Sequence, residues 1–337
     1  MSGRLQTNYK KEKSIEERLN TYPSFIAEWY YSLRASNREI SSCEDYVRKA
    51  VRFLEFINKD INKVTPDKIT RDKVTRYMIS CQTKVKKGVR TKTSDSYKTT
   101  IWYVLKNLLH FLSVNGYIEK NYVEEIPKPK NNDIDRINNE RILLTEYDFN
   151  KILTAVKNGA GGELSKARQN LYRERDIAIM LVFMYTGMRR TALSNINVSD
   201  INFEDSTLTV TDKGSKLQIY PLSNKVMSAL NEWIEKRSSL IKEDTDALFI
   251  SREGNRISSS AIYSLVSKYC EEALGKKISP HKLRSGFCSI MYDKTRDVEK
   301  VRRMVGHSNV STTQRYIVTD NRERRESSMI MDELLSF

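Results

Sequence analysis

Near the end of this chain a histidine and a tyrosine stand nine residues apart, His307 and Tyr316, in Val305-Gly-His-Ser-Asn-Val-Ser-Thr-Thr-Gln-Arg-Tyr316. With three histidines and eighteen tyrosines in the chain, the histidine is the rarer half of the pair. Three other places carry basic groups that local structure does not need. Arg189 follows Tyr185-Thr-Gly-Met, and Lys213 lies in Asp212-Lys-Gly-Ser-Lys216. His281 and Arg284 lie three apart in Pro280-His-Lys-Leu-Arg284, a spacing that puts them on one helical face. Two arginines, two histidines, a lysine and a tyrosine suit phosphoryl transfer. Arginine forks can hold the charge on the non-bridging oxygens. A tyrosine hydroxyl can attack in line as a covalent nucleophile. A nearby acid must then protonate the leaving oxygen. A phosphotyrosyl bond conserves the energy of the broken phosphodiester, which agrees with the lack of a glycine-rich phosphate loop in the sequence.

These residues need rigid supports, and the pattern around them predicts such supports. Ile177 to Tyr185 is apolar on every side and reads as a buried helix stopped by Gly187. Ser206 to Thr211 and Leu217 to Pro221 read as strands of a hairpin with Lys213 in its turn, and Leu248 to Ile250 as a third short strand. On the helix after Pro280, Leu283, Phe287, Ile290 and Met291 form the core face, so His281 and Arg284, with Ser285 and Cys288, are expected to point away from the interior. Val298, Val301 and Val305 mark a docked helix that leads to His307. Thr145 with Asp148 resembles a capping box at the start of this half of the chain.

The length of 337 residues suggests two domains. Residues 1–20, with Lys10, Lys11 and Lys13, read as a frayed basic tail. Residues 21–124 carry helical stripes, among them Val47, Val51, Leu54, Ile57 and the longer run Ile101 to Leu112. Residues 125–141 lose periodicity and read as an extended linker, and 142–337 form the second domain. The expected class is mainly α (α+β): a helical bundle plus a mostly helical domain with a small antiparallel sheet. Lys and Arg exceed Asp and Glu by 15, which fits a polyanionic partner, nucleic acid or an anionic membrane surface. The longest apolar run is about half of the ~20 residues a membrane helix needs. Cys43, Cys81, Cys270 and Cys288 are scattered, without metal-ligand spacing, so neither a metal nor a cofactor is expected. Lys84, Lys86, Lys87, Arg90, Lys92 and Lys98, interrupted by Thr, Ser and Gly88, read as a phosphate-contacting loop, and Lys216 as a further DNA contact.

Taken together these boxes resemble the tyrosine recombinases, or phage-type integrases, over most of the chain. Thr186-Gly-Met-Arg189 is similar to the box of the family's first catalytic arginine, and Lys213 to its hairpin lysine. Pro280-His-Lys-Leu-Arg284 is similar to its His-x-x-Arg box and Val305-Gly-His307 to its Leu-Gly-His box. Thr312-Thr-Gln-Arg-Tyr316 is similar to its nucleophile segment. One departure is Ala192, where many members carry an acidic residue.

The resemblance implies a site-specific DNA recombinase that works without metal or ATP. Tyr316 would form a 3′-phosphotyrosine, Arg189, Arg284 and His307 would stabilise the transition state, Lys213 would protonate the 5′-oxygen, and His281 would assist removal of the tyrosine proton. The implied partner is double-stranded DNA with inverted-repeat core sites. It also implies a homotetramer on DNA that is a monomer in free solution, an accessory DNA-bending or directionality protein, and no membrane. The place of action would be the cytoplasm, at the nucleoid. The apolar end, Met329, Ile330, Leu334, Leu335 and Phe337, would belong to a helix docking on a neighbouring protomer. The twenty residues before the helical domain are too few for the arm-binding domain of many phage integrases, which leans towards a simple-site, Xer-like or mobile-element enzyme. The competing readings are a type IB topoisomerase or telomere resolvase, a non-catalytic DNA-binding protein of the same fold, and an anionic-membrane-binding protein.

Overall fold

A computed structural model of the chain describes residues 3–86, 88–129, 144–212, 216–242 and 245–306. The chain divides into two compact units, one within residues 5–141 and one that takes in 142–337.

The first unit is helical, with α1 (Gly3–Leu19), α2 (Ser24–Ala35), α3 (Ile40–Ile57), α4 (Arg71–Ser80) and α5 (Asp95–Val114). The expected stripes supply its core: Val47, Val51 and Leu54 on α3, and Ile101, Leu105, Leu108 and Leu112 on α5, are buried. Trp29 on α2 donates its indole N–H to Asn107 Oδ1 on α5 at 2.9 Å, so the large ring is buried with its polar atom satisfied.

Two expectations fail here. The segment read as a frayed tail is helical in α1, and Ile15 and Leu19, one turn apart, are buried in the core. Arg18 also pairs with Glu44 at 2.8 Å, and Glu12 with Arg34 at 2.8 Å, which anchors a segment whose overall polarity argued against docking. The basic loop is instead a hairpin of β1 (Thr83–Lys86) and β2 (Val89–Lys92), with Lys84 opposite Thr91 and Val85 opposite Arg90. Gly88 at φ +78° supplies the turn. The expected linker falls largely on residues outside the described ones; just before it, Tyr122–Glu125 is a 3-10 turn that buries Val123.

Leu144, the first described residue of the 142–337 stretch, has a buried side chain. The helices of this second unit are α6 (Glu146–Asn158), α7 (Glu163–Asn170), α8 (Arg173–Thr186), α9 (Arg190–Ser194), α10 (Asn224–Ser238), α11 (Ser259–Leu274), α12 (Pro280–Thr295) and α13 (Val298–Val305). The capping box forms at α6: Asp148 N donates to Thr145 Oγ1 at 3.3 Å and Thr145 N to Asp148 Oδ2 at 2.8 Å. The apolar helix is α8, buried along most of its length between α6, α10 and α12. A three-stranded antiparallel sheet, β3 (Ile201–Asn202), β4 (Thr207–Asp212) and β5 (Lys216–Pro221), runs in that order. Leu248 to Ile250 is not its third strand. Ala247 and Ile250 make isolated bridges to Asn197 and Arg256, and the short β3 takes the edge of the sheet instead. Among the described residues no helix is long and apolar enough to cross a membrane.

Candidate active site

Each functional side chain described in the second unit sits at the end of an element whose interior is packed. α8 terminates at Gly187, in the left-handed region at φ +58°. A side chain there would be strained by its conformation and would also meet the Phe287 ring at 2.5 Å, so this position has two reasons to be glycine. The turn it makes delivers Arg189 to the N-cap position of α9, with φ −75° and ψ 142°. Arg189 is half-buried at this point.

The next supports are α12 and α13. Ser279 caps α12, accepting from Lys282 N at 3.3 Å, and Pro280 takes the first helical position, where its missing N–H costs nothing. His281 therefore lies in the first turn and Arg284 one turn on. Arg284 does not point away from the interior as its helical face predicts. It is 3% exposed, and its guanidinium donates to Gly187 O at 2.6 Å and to Val305 O at 2.8 Å. Counting apolar faces misses this because the fork is satisfied by two carbonyls at helix ends, where intrahelical partners are lacking. One side chain thus ties the ends of α8 and α13 to α12.

Arg189, His281 and Arg284 line one cleft of about 460 Å³, with Arg190, Thr191 and Tyr263 at its side. His281 keeps part of its surface open to solvent. Its pKa is nonetheless held below the ordinary imidazole value, first by the atoms packed against it and then by the positive charges of Arg284, Lys282 and Arg189. A neutral imidazole beside two arginines can accept a proton, while the arginines attract a phosphate. Arg190 stacks over the Tyr263 ring, 5.5 Å from its centroid, an association between distant parts of the chain that no spacing in the sequence announced. Ala192, at the place of the family's acidic residue, is buried in the main core and offers only a methyl group.

Three of the six sequence-derived site residues, Arg189, His281 and Arg284, are thus brought together. Lys213, His307 and Tyr316 lie outside the described residues, as do Lys87 and the apolar C-terminal segment. Gly306, the residue before His307, is in the left-handed region at φ +66° and ends α13. Of the DNA-contact candidates, Lys84, Arg90 and Lys92 belong to the β1–β2 hairpin, where Lys84, Arg90 and Lys92 are exposed, and Lys98 is engaged by Asp95 on α5. The side chains of Lys86 and Lys216 are outside the described set. Among the described residues no group of three or more His, Cys, Asp or Glu could hold a metal ion.

The model of the phage integrase family matches residues 143–323. A tyrosine recombinase XerC of Shewanella oneidensis is 31% identical over 66% of this chain and 67% of its own length. A tyrosine recombinase XerC of Caldanaerobacter subterraneus is 28% identical over 96% of this chain and 91% of its own. Two solved structures share the fold at low identity. XerH site-specific recombinase bound to a palindromic difH substrate aligns with TM-score 0.64 at 20% identity, covering 88% of this chain and 82% of that one. A lambda integrase dimer bound to a COC′ core site aligns with TM-score 0.58 at 16% identity, covering 86% and 96%.

Proposed function

The chain belongs to the phage integrase family and is a tyrosine-type site-specific DNA recombinase, and from that premise we propose that it cuts and rejoins strands through a 3′-phosphotyrosine on Tyr316. The Tyr316 hydroxyl attacks the scissile phosphorus, its proton passing towards neutral His281. The bond from phosphorus to O5′ breaks, and O5′ takes a proton from Lys213. Arg189 and Arg284, with His307, hold the charge that develops on the non-bridging oxygens. A donor of this kind is worth roughly 3–4 kcal/mol in the transition state. A 5′-hydroxyl from a partner strand reverses the sequence and rejoins the DNA.

The observation that carries this reading is the placement of Arg284. Its guanidinium is locked by two carbonyls in the same cleft as Arg189 and a neutral-leaning His281. Locked donors need no reorganisation as charge develops, which is the physical basis of their catalytic value. The test is a nicked suicide substrate carrying a family-type core site. Wild type should form a covalent protein–DNA adduct, and Tyr316→Phe should form none. An adduct that survives in Tyr316→Phe would move the nucleophile to another residue.

We propose further that the enzyme assembles as a tetramer on two DNA sites built of inverted core repeats, from monomers in free solution. Each protomer would bring a helical unit and a catalytic unit, joined by the 125–141 linker, to the DNA. The assembly takes its pattern from a relative of the same fold, a lambda integrase solved as a tetramer bound to a Holliday junction. A largely apolar groove of about 630 Å³, lined by Phe149, Leu153, Met184, Phe287 and Met291, would seat residues 329–337 of a neighbouring protomer. Such docking would link the four sites. The exposed lysines and arginine of the β1–β2 hairpin would contact DNA phosphates, an accessory DNA-bending protein would set direction, and the reaction would take place at the cytoplasmic nucleoid.

A further inference from the structure

Gln218 projects from β5, where it pairs across the sheet with Val210. Its neighbours Leu217 and Ile219 are 72% and 64% exposed on the opposite face, while Tyr220, on its own face, is buried. The sheet therefore turns Gln218 towards the domain, and its amide reaches the end of α13. Gln218 Nε2 donates to Arg303 O at 3.3 Å and to Met304 O at 3.1 Å. The next carbonyl, that of Val305, is taken by Arg284 at 2.8 Å. Three successive carbonyls at the end of α13 are thus held by side chains from β5 and α12, that of Arg303 also accepting from Gly306 N at 3.2 Å. Gly306 completes the contact. A Cβ at that position would run into the Gln218 amide oxygen, so a side chain there could be accepted only if the Gln218 amide swung away from the helix end, while the positive φ by itself favours glycine.

Two residues of the proposed reaction flank this contact in sequence. β5 begins three residues after Lys213 in sequence, and Gly306 directly precedes His307. We propose that Gln218 is a positioning residue that ties the Lys213 hairpin to the end of α13. The group that protonates the leaving oxygen and the group that binds the phosphate are then set relative to Arg284 as one unit. This rests on the reading of Lys213 as the acid of the cleavage step.

The test compares two suicide substrates, one with an ordinary scissile phosphodiester and one with sulfur in place of the bridging O5′. In both, the bond from tyrosine oxygen to phosphorus forms and the bond to the 5′ atom breaks. Oxygen must leave with a proton, whereas sulfur leaves as a thiolate and needs none. Lys213→Ala should be slowed about a hundredfold on the ordinary substrate and restored to within roughly threefold of wild type on the sulfur one, the behaviour of a missing general acid. Gln218→Ala, and isosteric Gln218→Glu, which offers acceptors where donors are needed, should be slowed about tenfold or more on the ordinary substrate and largely restored on the sulfur one.

The ratio of the two rates within one variant is independent of how much protein is folded. Equal slowing of both substrates in the Gln218 variants would assign Gln218 a purely structural role and overturn the inference. So would wild-type rates on the ordinary substrate. If Lys213→Ala itself showed no restoration, the assignment of Lys213 would fall, and the inference with it.

Discussion

Arg284 and Val305 meet through a 2.8 Å hydrogen bond from guanidinium to carbonyl, across 21 residues of chain. With the second bond to Gly187 O, that contact makes one side chain both a candidate phosphate ligand and the joint between three helices. Loss of Arg284 should therefore damage stability and chemistry together.

Arg284→Ala would leave two carbonyls in a buried setting without their donors, each costing about 1–3 kcal/mol. Arg284→Lys keeps the charge but cannot span both carbonyls and present a fork to phosphate. Urea denaturation should show a fall of a few kcal/mol for alanine and less for lysine. Adduct formation should drop at least about a hundredfold in both. A lysine variant with wild-type cleavage would remove the fork geometry from the mechanism.

The Gly187 turn should be intolerant of any side chain. Gly187→Ala meets a left-handed backbone, worth about 1–2 kcal/mol for a non-glycine residue, and a clash with Phe287 in addition. Part of the loss should return in Gly187→Ala with Phe287→Leu, because the two changes share one contact. Strict additivity in melting experiments would mean that the ring is not the obstacle.

Gly306 and Gln218 should show the same coupling. Gly306→Ala alone should strain the backbone and push the Gln218 amide aside, so that its two hydrogen bonds to Arg303 O and Met304 O are lost. In the double variant with Gln218→Ala the displaced amide is already gone, so Gly306→Ala should add little beyond the backbone strain of roughly 1–2 kcal/mol. The coupling is read from denaturation midpoints of the four proteins in the cycle.

The pH profile should report His281. Partial desolvation by the atoms packed against it, and then three neighbouring cations, hold its pKa below the ordinary 6.5, so the neutral form prevails at pH 7 and protonation comes in more acidic solution. Single-turnover adduct formation should thus stay level down through the ordinary imidazole range and decline below it. His281→Asn should flatten that decline. The stability sign is the same: the unfolded chain binds the proton more readily, so this contribution is present above pH 6.5 and is lost as pH falls through the depressed folded value. An acidic limb unchanged in His281→Asn would assign it to another group.

The β1–β2 hairpin should act through charge and without sequence preference. Lys84→Ala and Arg90→Ala should each weaken binding to specific and random duplexes alike. For every phosphate that a variant no longer neutralises, the slope of log affinity against log salt should become shallower by about 0.9. Binding measured at several salt concentrations would show this, and an unchanged slope would place both residues off the DNA.

Much was determined by the sequence alone. Residue chemistry in four separated boxes named the reaction class, and turn glycines and helical periodicity placed Arg189 after a buried helix and His281 with Arg284 on another. Local patterns of this kind survive folding because they depend on neighbours one turn away. Tertiary structure alone decided what lies between elements. Arg284 is buried because carbonyls of Gly187 and Val305 arrive to satisfy it, and Ile15 and Leu19 are buried because α1 finds a surface to cover. Gln218 bore no signal, being one polar residue on a strand of alternating exposure, until the end of α13 came within reach of its amide. A hydrogen bond between residues 86 apart leaves no period and no spacing in a single sequence; its partners are chosen only when packing brings a helix end with unsatisfied carbonyls against a strand.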